Sequence, residues 1–126
     1  MLAWKDISHP AAGRAESDTD RYLSLMARKG HKVTLFCAAV ARKPATEGFH
    51  GYKIIRSGAR LSVYLKGFRY ARKDFDLVID QVNTIPFFTP FLRTSARKMC
   101  FIHQLAREYW FTEMFWPLSW IGYMAE

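Results

Sequence analysis

The stretch KMCFIHQ, residues 98–104, ends a short apolar run with a histidine. Met99, Cys100, Phe101 and Ile102 have the make-up of a buried strand, and His103 and Gln104 follow at once. A histidine at such a place can hold or move a proton near neutrality, or it can be a satisfied strand-end group bonded to a nearby carbonyl. Its neighbours decide between the two. Asp6, Ser8 and His9 follow Met1–Trp4, which reads as the tail of a first strand, and Asp80, Gln81 and Asn83 lie at the end of the run FDLVIDQV. Asp6 and Asp80 serve equally well as turn or cap residues, because the aspartate side chain bonds nearby backbone N–H groups. The loop AAGRAE supplies one more group. Gly13 stands where the backbone turns tightly or approaches a ligand closely, and a helix N-terminus there attracts phosphate. Arg14 adds a mobile positive charge, whereas Glu16, Asp18 and Asp20 offset the helix dipole and compete with an anion.

The elements that must position these groups alternate in type. From Ala15 to Lys29, Tyr22, Leu23, Leu25 and Met26 recur at helical spacing, with Gly30 as the stop. HKVTLFCAA is a strong strand, RKPATEGFHGY a turn-rich loop, and YKIIRSG another strand. RLSVYLKGFRYARK, residues 60–73, repeats apolar groups at helical spacing with basic residues between them. FDLVIDQV and RKMCFIHQ are further strands. TIPFFTPFLR, with Pro86 and Pro90, allows only a short or interrupted helix. PLSWIGYMAE starts at Pro117, a favoured first helical residue. Nearly continuous apolar character within each strand argues for a parallel sheet covered on both faces. The expected fold is therefore α/β: a Rossmann-like open parallel sheet of about five strands with helices on both faces. In such sheets ligands bind outside the carboxyl ends of the strands, near the point where strand order reverses. Asp6, Asn83 and His103 are expected to open onto one crevice there.

Composition bounds the rest. The 126 residues suffice for one domain, half of them hydrophobic, so the chain is expected to fold. A formal net charge of +8 favours an anionic partner without choosing among nucleic acid, acidic lipid and phosphorylated small molecules. Cys37 and Cys100 belong to no CxxC or Cys/His cluster, so no metal site is expected, and both read as buried reduced thiols suited to the cytoplasm. No basic-then-apolar leader opens the chain, and no apolar run approaches the ~20 residues that a bilayer span needs.

Several strings become specific when taken in order. Trp4-x-Asp6, then HPAAGRAE, then RYLSLMARKGHKVTLF resembles the opening of family 4 glycosyltransferases of the two-Rossmann architecture. That family carries an AGGAE loop before the first helix and a GHEVT-like start to the second strand. FDLVIDQVNTIPFFTP and IHQLAREYW resemble later landmarks of a hexosyltransferase subgroup, so the resemblance spans essentially the whole chain. It implies retaining transfer of a hexose from a nucleotide-sugar, with this part of the enzyme holding the acceptor. His103 matches the histidine that reaches the transferring sugar, and Gly13 and Arg14 match the loop near the donor pyrophosphate. Asp6, Asn83 and Gln104 are the expected substrate-binding residues. No cofactor is implied beyond the nucleotide-sugar donor, which is a substrate. Arg14 replaces the family's second loop glycine, and no Glu-x7-Glu occurs. The chain accordingly reads as an incomplete first half whose donor-binding domain lies elsewhere, inactive alone or completed by a second polypeptide.

RYARK, RTSARK and Lys66 interleave basic and aromatic groups, but no RRM, KH or helix-turn-helix signature accompanies them, which disfavours nucleic acid. YWFTEMFWPLSWIGYM carries three tryptophans and two tyrosines, residues favoured at lipid headgroup depth, so peripheral contact with an anionic membrane surface is the alternative function. The same aromatics, Trp110, Phe115, Trp116 and Trp120 above all, are expected to hold a homo-oligomer together.

Overall fold

The computed structural model describes residues 1–83 and 85–103, together with Trp116, Ser119, Trp120 and Met124. Its elements are α1 (Arg14–Arg28), β1 (Thr34–Cys37), β2 (Thr46–Phe49), β3 (Tyr52–Arg56), α2 (Ser62–Tyr70), β4 (Leu77–Val82), a 3-10 turn (Thr89–Phe91) and β5 (Arg97–Ile102). The spacing of Glu16, Thr19 and Leu23 puts one face of α1 inside. Gly30 and His31 close the helix by donating to the carbonyls of Ala27 (2.9 Å) and Met26 (3.3 Å), the paired bonds of a Schellman end.

Strand alternation splits the interior into two clusters. Leu35 and Cys37 of β1 pack with Leu23 of α1, Ala3, Tyr52 and Ile54 on one face. Phe36 and Ala38 point the other way, to Leu2, Val63 of α2, Val78, Phe87 and Leu92. Burying side chains of this size is worth ~1.5–3 kcal/mol each, so both helices are fastened chiefly through these faces. On the α2 side the approach is close. A methyl group on Gly67 would lie 2.6 Å from the Phe87 ring, so only glycine fits there.

The sheet corrects the expectation of a five-stranded parallel Rossmann-like arrangement. Two sheets are present: a mixed one of three strands in the order β1-β3-β2, and a parallel pair β4-β5. The turn-rich loop contains β2, which pairs antiparallel with β3 through a two-residue turn at His50–Gly51. The residues Met1–Trp4 lie between the two sheets without forming a strand. Leu2 alone bridges both sides, to Phe36 and to Asp80. Its N–H donates to Ile79 (2.8 Å) and its carbonyl accepts from Gln81 (2.9 Å), while Ala3 donates to Phe36 (2.9 Å). So short a contact joins the sheets without extending either ladder.

Cover on both faces also fails at one place. β5 is an edge strand, and all its residues except Phe101 are exposed. Cys100 is therefore an exposed free thiol rather than a buried one, while Cys37 is buried as expected. The 3-10 turn at Pro90 agrees with an interrupted helix. Of the aromatic tail, only Trp116, Ser119, Trp120 and Met124 belong to the described residues. The expectations for Trp110 and Phe115, and for a helix beginning at Pro117, lie outside them.

Candidate functional site

Parallel register brings three chain segments to one level. Leu2 faces Asp80, and Asp80 faces Cys100. Three residues further along each segment stand Lys5, Asn83 and His103, at the carboxyl ends of the strands. His103 continues the β4–β5 pairing, since its N–H donates to the Val82 carbonyl at 3.1 Å. The half-buried ring sits edge-on to Phe101, centroids 4.6 Å apart and planes at 85°. Its Nε2 lies 3.5 Å from the Thr19 hydroxyl of α1. Thr19 spends its own hydrogen on the Ala15 carbonyl (2.8 Å), so in this long contact it accepts and Nε2 carries the proton. Helix α1 thus reaches the end of β5, and Asn83 stands half-buried beside it in register.

The two aspartates face inward. Asp6 is fully buried and accepts from Arg56 Nε at 2.6 Å and from the Ser8 amide at 2.9 Å, with Cys37 Sγ at 3.8 Å. Arg56 also meets Glu47 at 2.7 Å and the Pro44 carbonyl at 3.1 Å, so one guanidinium ties β3, β2 and the first loop together. Burial opposes the Arg56 charge, and hydrogen bonds to Glu47 and Asp6 outweigh it, leaving the pKa raised. Burial, and next the Asp6 charge, push the Cys37 thiol far up, so it is no thiolate nucleophile. Asp80 accepts from the amides of Phe87 (3.0 Å) and Thr89 (3.2 Å) and from the Thr89 hydroxyl (3.1 Å). It clamps the loop after β4, where Phe88 adopts φ 56°. Neither carboxylate presents an oxygen to a ligand. Next to Asp80, the Gln81 side-chain oxygen is buried and unpaired.

Gly13 caps α1 in extended conformation, and its amide donates to the buried Glu16 carboxylate at 2.6 Å. Glu16 also lies 3.7 Å from Lys5 Nζ, which bonds the Ala11 carbonyl. The helix start is thus already served by a carboxylate from its own first turn. Arg14 is exposed and makes no ion pair among the described residues. Gln104 lies outside the described residues.

Three residues join the site that the motifs did not single out. Thr19 links α1 to His103; its signal was a polar residue on the inward face of the helix. Lys5 and Arg60 stand 5.0 and 6.0 Å from the Trp4 ring, with His9 5.8 Å away by ring centroids. That cluster depends on contacts between distant segments, which spacing does not reveal.

No protein-family model matches the chain, and neither a curated protein nor a solved structure does. The functional reading therefore rests on the residues and their geometry.

Proposed function

We propose that the carboxyl ends of the strands form the acceptor-side wall of a sugar-transfer cleft, in a retaining hexosyltransferase that uses a nucleotide-sugar. The observation that supports this most is the placement of Asn83 and His103 side by side where the β4–β5 pairing ends, with α1 brought beside them through Thr19. In the transfer, the bond between the sugar's anomeric carbon and the donor phosphate oxygen breaks. A bond to the acceptor oxygen forms on the same face, and the acceptor proton passes to the departing phosphate. His103 and Asn83 would orient sugar hydroxyls, which is catalysis by positioning. Arg14 would meet the phosphate charge as it develops, a part Gly13 cannot take while Glu16 holds its amide. The chain has no Glu-x7-Glu, so carboxylates of that kind would come from another polypeptide segment. For residues 1–126 taken by themselves, nucleotide-sugar affinity is expected in the ~millimolar range and transfer is expected to be absent.

Titration with nucleotide-sugars, followed by amide shifts, tests the reading. Shifts at Gly13, Arg14, Asn83 and His103 are expected. Shifts confined to other parts of the chain would overturn it, and sub-millimolar affinity would contradict the expected weak binding by these residues alone.

A second reading, contact with an anionic membrane surface, is favoured by one feature. Leu61 and Leu65 of the α2 segment are 73% and 54% exposed, flanked by exposed Lys66, Arg69, Arg72 and Lys73 with no acidic residue from 60 to 73. Phe88 and Phe91 are also exposed beyond Phe87, which packs on α2. No helix among the described residues is long and apolar enough to cross a membrane. A cytoplasmic, peripheral location accommodates both readings, and the free thiols accord with it. Sedimentation with anionic vesicles, expected to weaken in Leu65→Glu, separates this reading from the first. Homo-oligomer formation through exposed Trp116 is part of the same proposal, and light scattering showing a strict monomer would remove it.

A further inference from the structure

A second arrangement lies at the other end of the strands. The β2–β3 hairpin turns on His50 and Gly51, with φ of 46° and 87°. Two consecutive left-handed residues make the turn that matches the twist of a hairpin, and that turn selects asparagine, aspartate or glycine. A histidine pays a backbone cost there. Packing offsets little of it, because the side chain is 57% exposed and its one ring contact is with the neighbouring Phe49, centroids 4.0 Å apart and planes tilted by 32°. What holds the ring is a carboxylate. Nδ1 lies 3.1 and 3.0 Å from the two oxygens of Asp20, and the Tyr52 hydroxyl donates to the same group at 2.9 Å. With Nδ1 turned to Asp20, Nε2 is the atom left for a ligand.

Two concavities, of about 760 and 670 Å³, meet at this turn, and His50 and Gly51 line both. The first is completed by Arg21, Ser24 and Arg28 of α1, the second by Lys32 and Lys53 among others. Asp20 is the one carboxylate in either lining, and it is already shared by two partners. None of the four arginines and lysines pairs with a carboxylate among the described residues. Arg21 and Arg28 are two helical turns apart, ~10 Å along the axis, so an elongated anion suits them better than a single phosphate.

We propose that this hairpin tip is a binding site for an oligophosphate anion of about the size of diphosphate. Nε2 of His50 donates to it, and Arg21 and Arg28 on one side and Lys32 and Lys53 on the other supply the charge. Donation from both ring nitrogens requires the imidazolium, which Asp20 balances. The charged and titratable groups facing it are Asp20, Arg21 and Arg28 of α1, Tyr52 and Lys53 of β3, and His31 and Lys32 before β1. The site uses none of the residues assigned to the carboxyl-end cleft.

Calorimetry and imidazole NMR with inorganic diphosphate test the proposal on the full chain. Saturable binding of one diphosphate is expected, with shifts at His50 and Gly51. His50→Ala and Arg28→Ala should each weaken it by about tenfold, while circular dichroism shows the fold kept. Binding unchanged in His50→Ala would overturn the site. So would shifts that spread to Arg14 and Arg69 without saturating, the signature of general attraction to a basic chain. An oligonucleotide that binds more tightly in proportion to its length would also overturn it, in favour of nucleic acid.

Discussion

Asp6 and Asp20 each hold a cationic or protonatable side chain from the same hairpin, and water separates their roles. Asp6 and Arg56 are sealed in, side chains 0% and 1% exposed, whereas Asp20 and His50 are 18% and 57% exposed. The sealed pair binds three chain segments and has no face left for a ligand. The open pair fixes a ring orientation and leaves one nitrogen outward. A carboxylate beside a cation is therefore no mark of a site by itself; exposure of the partner decides what it can do. The same contrast divides the strand ends, where Asp80 is consumed by its own loop and His103 stays half-buried with one long contact to Thr19.

The sharpest way to break the contrast is to remove half of the sealed pair. Asp6→Ala should cost about 3 kcal/mol, because buried Arg56 is then left with Glu47 as its one carboxylate partner and the Ser8 amide loses its acceptor, and chemical denaturation would read the loss. The double variant Asp6→Leu with Arg56→Met should recover most of it; equal loss in both would mean that the pair acts by net attraction. Next comes Asp80→Ala, which strands three buried donors and should cost about 2–3 kcal/mol by the same measurement. Gly67→Ala should cost about 1–2 kcal/mol, the overpacking against Phe87 exceeding the gain in helix propensity. His50→Ala should change stability by no more than about 0.5 kcal/mol while weakening diphosphate binding about tenfold, which is the mark of an open pair. The smallest effect concerns the thiols. Alkylation in native buffer should modify exposed Cys100 and spare Cys37, whose thiol burial and Asp6 push upward; equal labelling would mean the α1 face opens readily.

Local pattern carried much of this fold. α1, α2 and the apolar runs at β1, β3, β4 and β5 follow from helical spacing and β-branched stretches, and Pro86 and Pro90 limit the helix between them. The sheet did not follow. β2 is four residues long with Gly48 inside it, so its apolar signal is weak, and its hairpin shows only in Phe49-His50-Gly51-Tyr52. The bare β5 edge was also hidden, because an apolar run looks the same whether or not a neighbour covers it. At the site, strand-end positions for Asn83 and His103 were legible from where the runs stop. The inward turn of Asp6 was not, since Arg56, 50 residues away, decides it. Nor was the occupation of the Gly13 amide by Glu16, although the three-residue spacing of a capping box was in view.

The carboxyl-end cleft is tested most directly by His103 itself, in the His50→Ala background that weakens the hairpin tip and removes its imidazole signal. Imidazole NMR during titration with a nucleotide-sugar should show the His103 ring moving saturably in the millimolar range, accompanied by the Asn83 and Arg14 amides. A His103 ring that stays unmoved to the solubility limit would contradict the cleft and leave the strand ends as structure alone.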